Sequence, residues 1–271
     1  MGVRFANQAR PGAAANAARP PIAGVCFDLF HTLVDVGAVP ERVGRYTADI
    51  LGVDREAWNR ACFGPQHDIC RPTDHLESLR QLAHSLDPSI PITRIEEAVE
   101  ERQRRFDHSL LNIDLDTLTA LRALRKRGLR LALVSNASSG EVSAWPRSPL
   151  APLFDVAVFS CDCGARKPEA PIYRRALQAL SLAGSDCLFV GDGGSDEHRG
   201  ARAVGLHPVL ITRHIAGHFS AERLAARSAH VDWIVDTVAD LETLLESWRD
   251  AGGASMDPVD GVTAAKSRSE W

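Results

Sequence analysis

The chain has 271 residues, 45% hydrophobic and 24% charged, with a formal net charge of -4. That length accommodates one large α/β domain, or a core domain with a smaller one inserted. The mildly acidic balance gives no overall attraction for nucleic acid or an anionic membrane, and no run of 18 apolar residues is present to span a bilayer.

Residues 1–20 are rich in Ala, Arg and Pro and lack the continuous apolar stretch of a signal peptide, so a disordered leader is expected. A reducing, cytoplasmic location is the matching expectation for the six cysteines. Cys161 and Cys163 form one isolated pair without a second pair at zinc-site spacing.

The first strand is read at 22–29, IAGVCFDL, whose near-continuous apolar run suits a strand buried on both faces. Residues 37–112 then hold helical stretches, at 46–62 and 89–106, and no convincing strand. Beyond them strands and helices alternate. A helix at 115–127 carries Leu115, Leu118, Leu121 and Leu124, and Gly128 is placed to stop it. Strands follow at 129–135, 156–159, 187–191, 208–212 and 232–235, with helices at 169–182, 196–204, 221–228 and 238–248 between and after them. This alternation predicts an α/β fold: a Rossmann-like, mostly parallel sheet with helices on both faces. The core is expected at 21–36 plus 113–248, a helical cap domain at 37–112, and a loose tail at 249–271. An insertion after the first strand sits above the carboxyl edge where ligands bind, so it is placed to act as a lid.

Four polar clusters fall at or just beyond strand ends: Asp28–Thr32, Ser135–Asn136, Lys167, and GDGGSDE at 191–197. Each alone is an ordinary turn, cap or solvated residue; the fold would gather all four at one edge. The segments FDLFHTLV (27–34), VSNAS (134–138), KPEAPIY (167–173) and FVGDGGSDEHRGARAVG (189–205) together resemble the haloacid dehalogenase-like hydrolase superfamily, over about residues 21–247. The resemblance implies a nucleophile at Asp28 and a charge-neutralising lysine at Lys167. It implies that Ser135 and Asn136 hold phosphoryl oxygens and that Thr32 orients the nucleophile loop. It also implies Mg²⁺ held by Asp28, the main-chain carbonyl of Phe30, Asp192 and Asp196. Physically, a carboxylate attacks an anionic phosphoryl group only where cations and donors offset its charge, and Mg²⁺ takes oxygen ligands.

The resemblance breaks at Phe30. Most phosphatases of the family carry there a second Asp that protonates the leaving group, help worth about 10²–10⁴-fold. Three readings follow. The leading one is a Mg²⁺-dependent phosphatase acting on a small, anionic phosphorylated metabolite with a good leaving group, with His31 the local candidate for outside proton transfer. A second is metal-independent 2-haloacid dehalogenation, whose branch has an aromatic residue at this position and a functional tyrosine where Tyr173 stands; Asp192 argues against it. The third is a non-catalytic scaffold on the same fold. Arg42, Arg45, Arg60, Arg71, Trp58 and Phe63 are the cap residues within possible reach of a substrate. No nucleic-acid or membrane partner is expected, and no oligomeric state follows.

Overall fold

The computed structural model describes residues 2–5, 20–64, 67, 74–217 and 219–250. Its strands are β1 (Arg4–Phe5), β2 (Gly24–Phe27), β3 (Arg130–Ser135), β4 (Val156–Phe159), β5 (Cys187–Gly191), β6 (His207–Ile211) and β7 (Trp233–Val235). They form one sheet in the order β1-β7-β6-β5-β2-β3-β4. Every pair is parallel except β1 with β7. Strand β2 lies between β3 and β5, with Phe27 in register with Leu133 on one side and Val190 on the other. The strand order reverses here, which opens a crevice at the carboxyl edge.

Successive residues of these strands feed two cores, because side chains alternate across a pleated sheet. Val25, Phe27, Leu131, Leu133, Leu188 and Val190 pack on one face. Cys26, Ala132, Val134, Cys187 and Phe189 pack on the other. The second face is covered by helix Ala170–Leu180, whose Ile172, Tyr173, Ala176, Leu177 and Leu180 form one buried stripe at helical spacing. Pro171 starts that helix, and burial contributes about 1.5–3 kcal/mol for each large apolar side chain as an upper value. Helix Leu115–Lys126 covers the first face through Leu118, Leu121 and Leu124. Leu115 departs from the expected stripe and is exposed, since a spacing of three drifts off a 3.6-residue face.

The helices Thr47–Leu51, Arg55–Cys62, His75–Leu86 and Ile92–Leu111 lie between β2 and β3 and form a helical insertion. The stretch read as one helix at 46–62 is two, because Gly52 turns the chain at φ 72° and Asp54 caps the next helix through Ala57 N. The insertion has its own core of Ile50, Leu51, Trp58, Leu79, Ile95 and neighbours. Helix Ile92–Leu111 returns the chain to the sheet, where Leu110 joins the main core.

The disordered-leader reading is corrected at Arg4–Phe5, which pair antiparallel with Ile234 and Trp233 at the sheet edge. Arg4 Nη2 also meets Asp236 Oδ1 at 2.6 Å. Two residues carry no readable alternation, so the strand arises from pairing with an open edge. The last helix runs Asp240–Asp250, two residues into the predicted tail. Residues 6–19 and 251–271, the rest of the leader and tail readings, lie outside the described residues.

Candidate active site

Asp28 follows β2 directly, and its N–H continues the sheet by donating to Val190 O at 2.9 Å. The chain then closes a tight loop in which Leu29 O accepts from Leu33 N (2.8 Å) and Val34 N (3.1 Å). His31 sits in this loop at φ 60°, a left-handed conformation held by the bond from its N–H to Val34 O. Thr32 Oγ1 donates to Asp28 Oδ2 at 3.1 Å, so Thr32 fixes the rotamer of the buried carboxylate.

Lys167 arrives from a loop of the opposite face. Its Nζ donates to Asp28 Oδ1 and to Glu197 Oε2 at 2.6 Å. Asn136 holds that loop at both ends of one residue: its Oδ1 accepts from Lys167 N (2.7 Å) and its Nδ2 donates to Lys167 O (3.1 Å). The amide of Asn136 therefore positions Lys167, which differs from the expected contact with substrate oxygens. Ser135 Oγ is buried without a hydrogen-bond partner, so the hydroxyl remains available to a ligand. Gly200 lets helix Glu197–Ala203 press on the lysine loop; a Cβ there would lie 2.5 Å from Pro168 O.

Asp192 follows β5. Its Oδ1 accepts from Gly194 N at 2.9 Å, and Arg227 Nη1 donates to its Oδ2 and, at 2.6 Å, to its main-chain O. Among the described residues, Asp28, Asp192 and Glu197 are the acidic group whose ligand atoms come within 4.8 Å of one another, and all three are buried. Asp196 is corrected. Ser195 and Asp196 both take positive φ, 50° and 53°, and this turn sends the Asp196 carboxylate outward to Arg199 Nε at 2.6 Å. Glu197 faces inward instead. Its Oε1 accepts from Gly193 N at 2.8 Å, in a space that only glycine at 191 leaves open, since a Cβ there would stand 2.1 Å from Oε1.

Electrostatics follow from this crowding. Burial and the nearby Asp192 raise the Asp28 pKa against the pull of Lys167. Burial, opposed by Lys167 and aided by Asp28 and Asp192, pushes Glu197 up to about 8. Burial alone would lower Lys167, but the carboxylates of Asp28 and Glu197 hold it above its usual range, so it stays charged. Three carboxylates facing Lys167 and Arg227 leave one excess negative charge when all are ionised. A hard-oxygen donor set with residual negative charge fits a divalent cation such as Mg²⁺.

The cap closes the other side. The Phe30 ring packs edge-on against Phe106 of helix Ile92–Leu111, centroids 5.3 Å apart. Arg102, one turn earlier, lies over Phe106 at 4.7 Å and donates from Nη2 to Glu141 Oε1 at 2.5 Å. Glu141 belongs to the loop just after Ser135–Asn136, meets His67 Nε2 at 3.1 Å and accepts from Ser138 N at 2.8 Å. Gly140 in the same loop admits the His75 ring against its backbone, where a Cβ would stand 1.6 Å away. A cavity of about 530 Å³ opens beside the Asp28 loop between the two cap linkers, lined by Asp35, His108, Asn112, Asp114, Arg213 and His214 among others. His31 Nδ1 stands 3.6 Å from Asp35 Oδ1; burial opposes the proton, but Asp35, Asp192 and Asp28 raise the imidazole pKa overall. Tyr173 is fully buried and donates to Glu197 O at 2.8 Å, so it braces the acidic turn. Of the cap residues considered for substrate contact, Arg45 pairs with Glu97, Arg60 lies by Glu56, Trp58 is in the cap core and Phe63 is exposed. Arg71 lies outside the described residues.

The site and fold define a class, and comparison with known proteins agrees. The family model for haloacid dehalogenase-like hydrolase matches residues 22–205, and the chain belongs to that family. An (S)-2-haloacid dehalogenase of Pseudomonas sp. (strain YL) is 30% identical over 212 residues, 71% of this chain and 83% of that protein. Haloacid dehalogenase-like hydrolase domain-containing protein 3 of Mus musculus is 35% identical over 91 residues, covering 34% of this chain and 36% of that protein, so the chain spans about a third of that relative. A HAD phosphatase structure from Thermococcus onnurineus shares the fold, with TM-score 0.56 at 23% identity over 83% of this chain and 98% of that one. Among the described residues no helix is long and apolar enough to cross a membrane.

Proposed function

We propose that the protein is a Mg²⁺-dependent hydrolase, a phosphatase of a small anionic phosphorylated metabolite, with Asp28 as nucleophile. The observation that carries this reading is the buried oxygen triad of Asp28, Asp192 and Glu197 beside Lys167. Asp28 attacks phosphorus, the phosphoryl–oxygen bond to the leaving group breaks with its electron pair, and water later cleaves the aspartyl phosphate. Lys167 keeps its proton throughout and offsets charge on the nucleophile. The buried, unpartnered Ser135 hydroxyl supplies a donor for a phosphoryl oxygen. Mg²⁺, held by the triad and the Phe30 carbonyl, supplies further charge neutralisation when bound. Phe30 supplies no proton, so the reading favours leaving groups stable as anions, such as an acyl phosphate's carboxylate.

A second reading, hydrolysis of a carbon–halogen bond, is favoured by the aromatic contact of Phe30 beside Asp28 and by the 30% identical relative. Halide departs without a proton, and Lys167 and Arg227 already neutralise part of the acidic charge. A panel of phosphorylated and halogenated metabolites, each with Mg²⁺ and with EDTA, separates the two, with Asp28→Asn as blank. Mg²⁺-dependent phosphate release that Asp28→Asn abolishes is the expected result. Halide release undiminished by EDTA would overturn it in favour of the second reading. Turnover with neither panel, with the variant indistinguishable from wild type, would assign a scaffold role.

A further inference from the structure

All six oxygens of the acidic triad already accept a hydrogen bond from the protein. Asp28 takes Lys167 and Thr32. Glu197 takes Lys167 and Gly193 N. Asp192 takes Gly194 N and Arg227. Five of these contacts come from the β2 and β5 loops or from Lys167, elements built around the site. The sixth comes from elsewhere. Arg227 ends helix Ala221–Arg227, which has no buried residue and touches the body through the small Leu210, Ile215 and Val231 cluster and its partly buried Leu224. Its guanidinium rests 4.6 Å over the ring of Phe219, and its side chain retains 23% exposure. The loop makes room for it: a Cβ on Gly193 would meet Arg227 Cβ at 3.0 Å.

We infer that Arg227 is a positioning residue that competes with the cation for Asp192, holding Asp192 Oδ2 in the metal-free protein and yielding it when the site is loaded. This rests on the metal-binding reading above. A guanidinium and a divalent cation crowded on one carboxylate repel each other, and Arg227 is the lesser anchored of the two cations beside the triad. Lys167 cannot yield in the same way, being fully enclosed between Asp28 and Glu197. Arg227 already lies on the Phe219 ring and is part-exposed, so its guanidinium has solvent to swing into. Such an arrangement keeps three buried carboxylates tolerable without metal and sets metal affinity below what the donor set alone would give. A charge-assisted contact of this kind is worth about tenfold or more in a competing affinity.

The test is isothermal titration of the full chain with Mg²⁺, and with Mn²⁺ as a second probe, on wild type, Arg227→Gln, Arg227→Lys and Asp192→Asn, after EDTA treatment. The expected result is that Arg227→Gln binds metal about tenfold more tightly, Arg227→Lys falls between, and Asp192→Asn binds at least tenfold more weakly. Hydrogen exchange gives an independent signature: metal speeds exchange in helix Ala221–Arg227 of wild type and leaves it unchanged in Asp192→Asn. Should Arg227→Gln misfold, Arg227→Lys and the exchange experiment still decide. Metal binding by wild type with equal or weaker binding by both Arg227 variants, or no change in exchange, would overturn the inference and leave the metal reading standing. No binding by wild type or any variant would overturn both.

Discussion

Replacing Glu141 by Gln should unseat the cap. The carboxylate bridges core and insertion: Oε1 meets Arg102 and His67 from the cap side, and Oε2 accepts from Ser138 N in its own loop. Burial raises the Glu141 pKa, but His67 and Arg102 outweigh it and hold the group well below the usual carboxylate range. The glutamine amide fills the same volume, but its single oxygen can accept from Ser138 N or from Arg102 and not both, so the variant loses the charge and one acceptor. Breaking a buried ion pair from one side costs about 3–5 kcal/mol. Arg102 keeps 17% side-chain exposure, and the water that reaches it reduces the expected loss to about 2–3 kcal/mol. Urea unfolding at pH 7 measures the total, and hydrogen exchange in helices His75–Leu86 and Ile92–Leu111 shows whether the cap opens first. Because the folded pKa is depressed, this stabilisation is present above the unfolded value, near 4.5, and is lost as pH falls through the folded one. The gap between wild type and variant should therefore be flat from pH 7 to about 5 and shrink only in stronger acid. A loss below about 0.5 kcal/mol, or a negligible coupling energy with Arg102→Met in a double-mutant cycle, would refute the latch.

Gly200→Ala should destabilise by about 1–3 kcal/mol, because the new methyl meets the Pro168 backbone and helix Glu197–Ala203 must lift off the lysine loop; chemical denaturation reads the difference. His198 is buried, which lowers its pKa to about 4 from an unfolded value near 6.5. A depressed folded pKa means the unfolded chain binds the proton first, so stability present above about 6.5 is lost as pH falls through about 4, by about 3 kcal/mol in total. His198→Gln should remove that component, seen as a flatter stability curve than wild type between pH 7 and 4.

Much of the core was legible because the sheet is buried on both faces and writes itself as apolar runs; 156–159 and 187–191 match their strands to the residue. Asp28, Lys167 and Asp192 were legible as polar residues at or near the ends of such runs, which a parallel sheet gathers at one edge. The choice between Asp196 and Glu197 was not, since two adjacent acids in GSDE differ only through the left-handed turn before them. One local signal was present: Glu197 shares a helical face with Gly200 and Ala201, which pack inward. Arg227 carried no signal, being one arginine in a charged helix 35 residues from Asp192. Glu141 was hidden likewise, because its partners sit in the insertion. The β1 strand exists only through an edge formed by residues over two hundred positions away.

The contact between Phe30 and Phe106 ties two properties of the site together. One position two residues beyond Asp28 decides both whether a proton donor stands there and how helix Ile92–Leu111 is seated. An aspartate engineered at position 30 would gain the proton donor and forfeit the aromatic seat, leaving a carboxylate against the bare edge of Phe106. Changing the side chain at position 30 is then a two-residue problem, in which Phe106 must change together with Phe30.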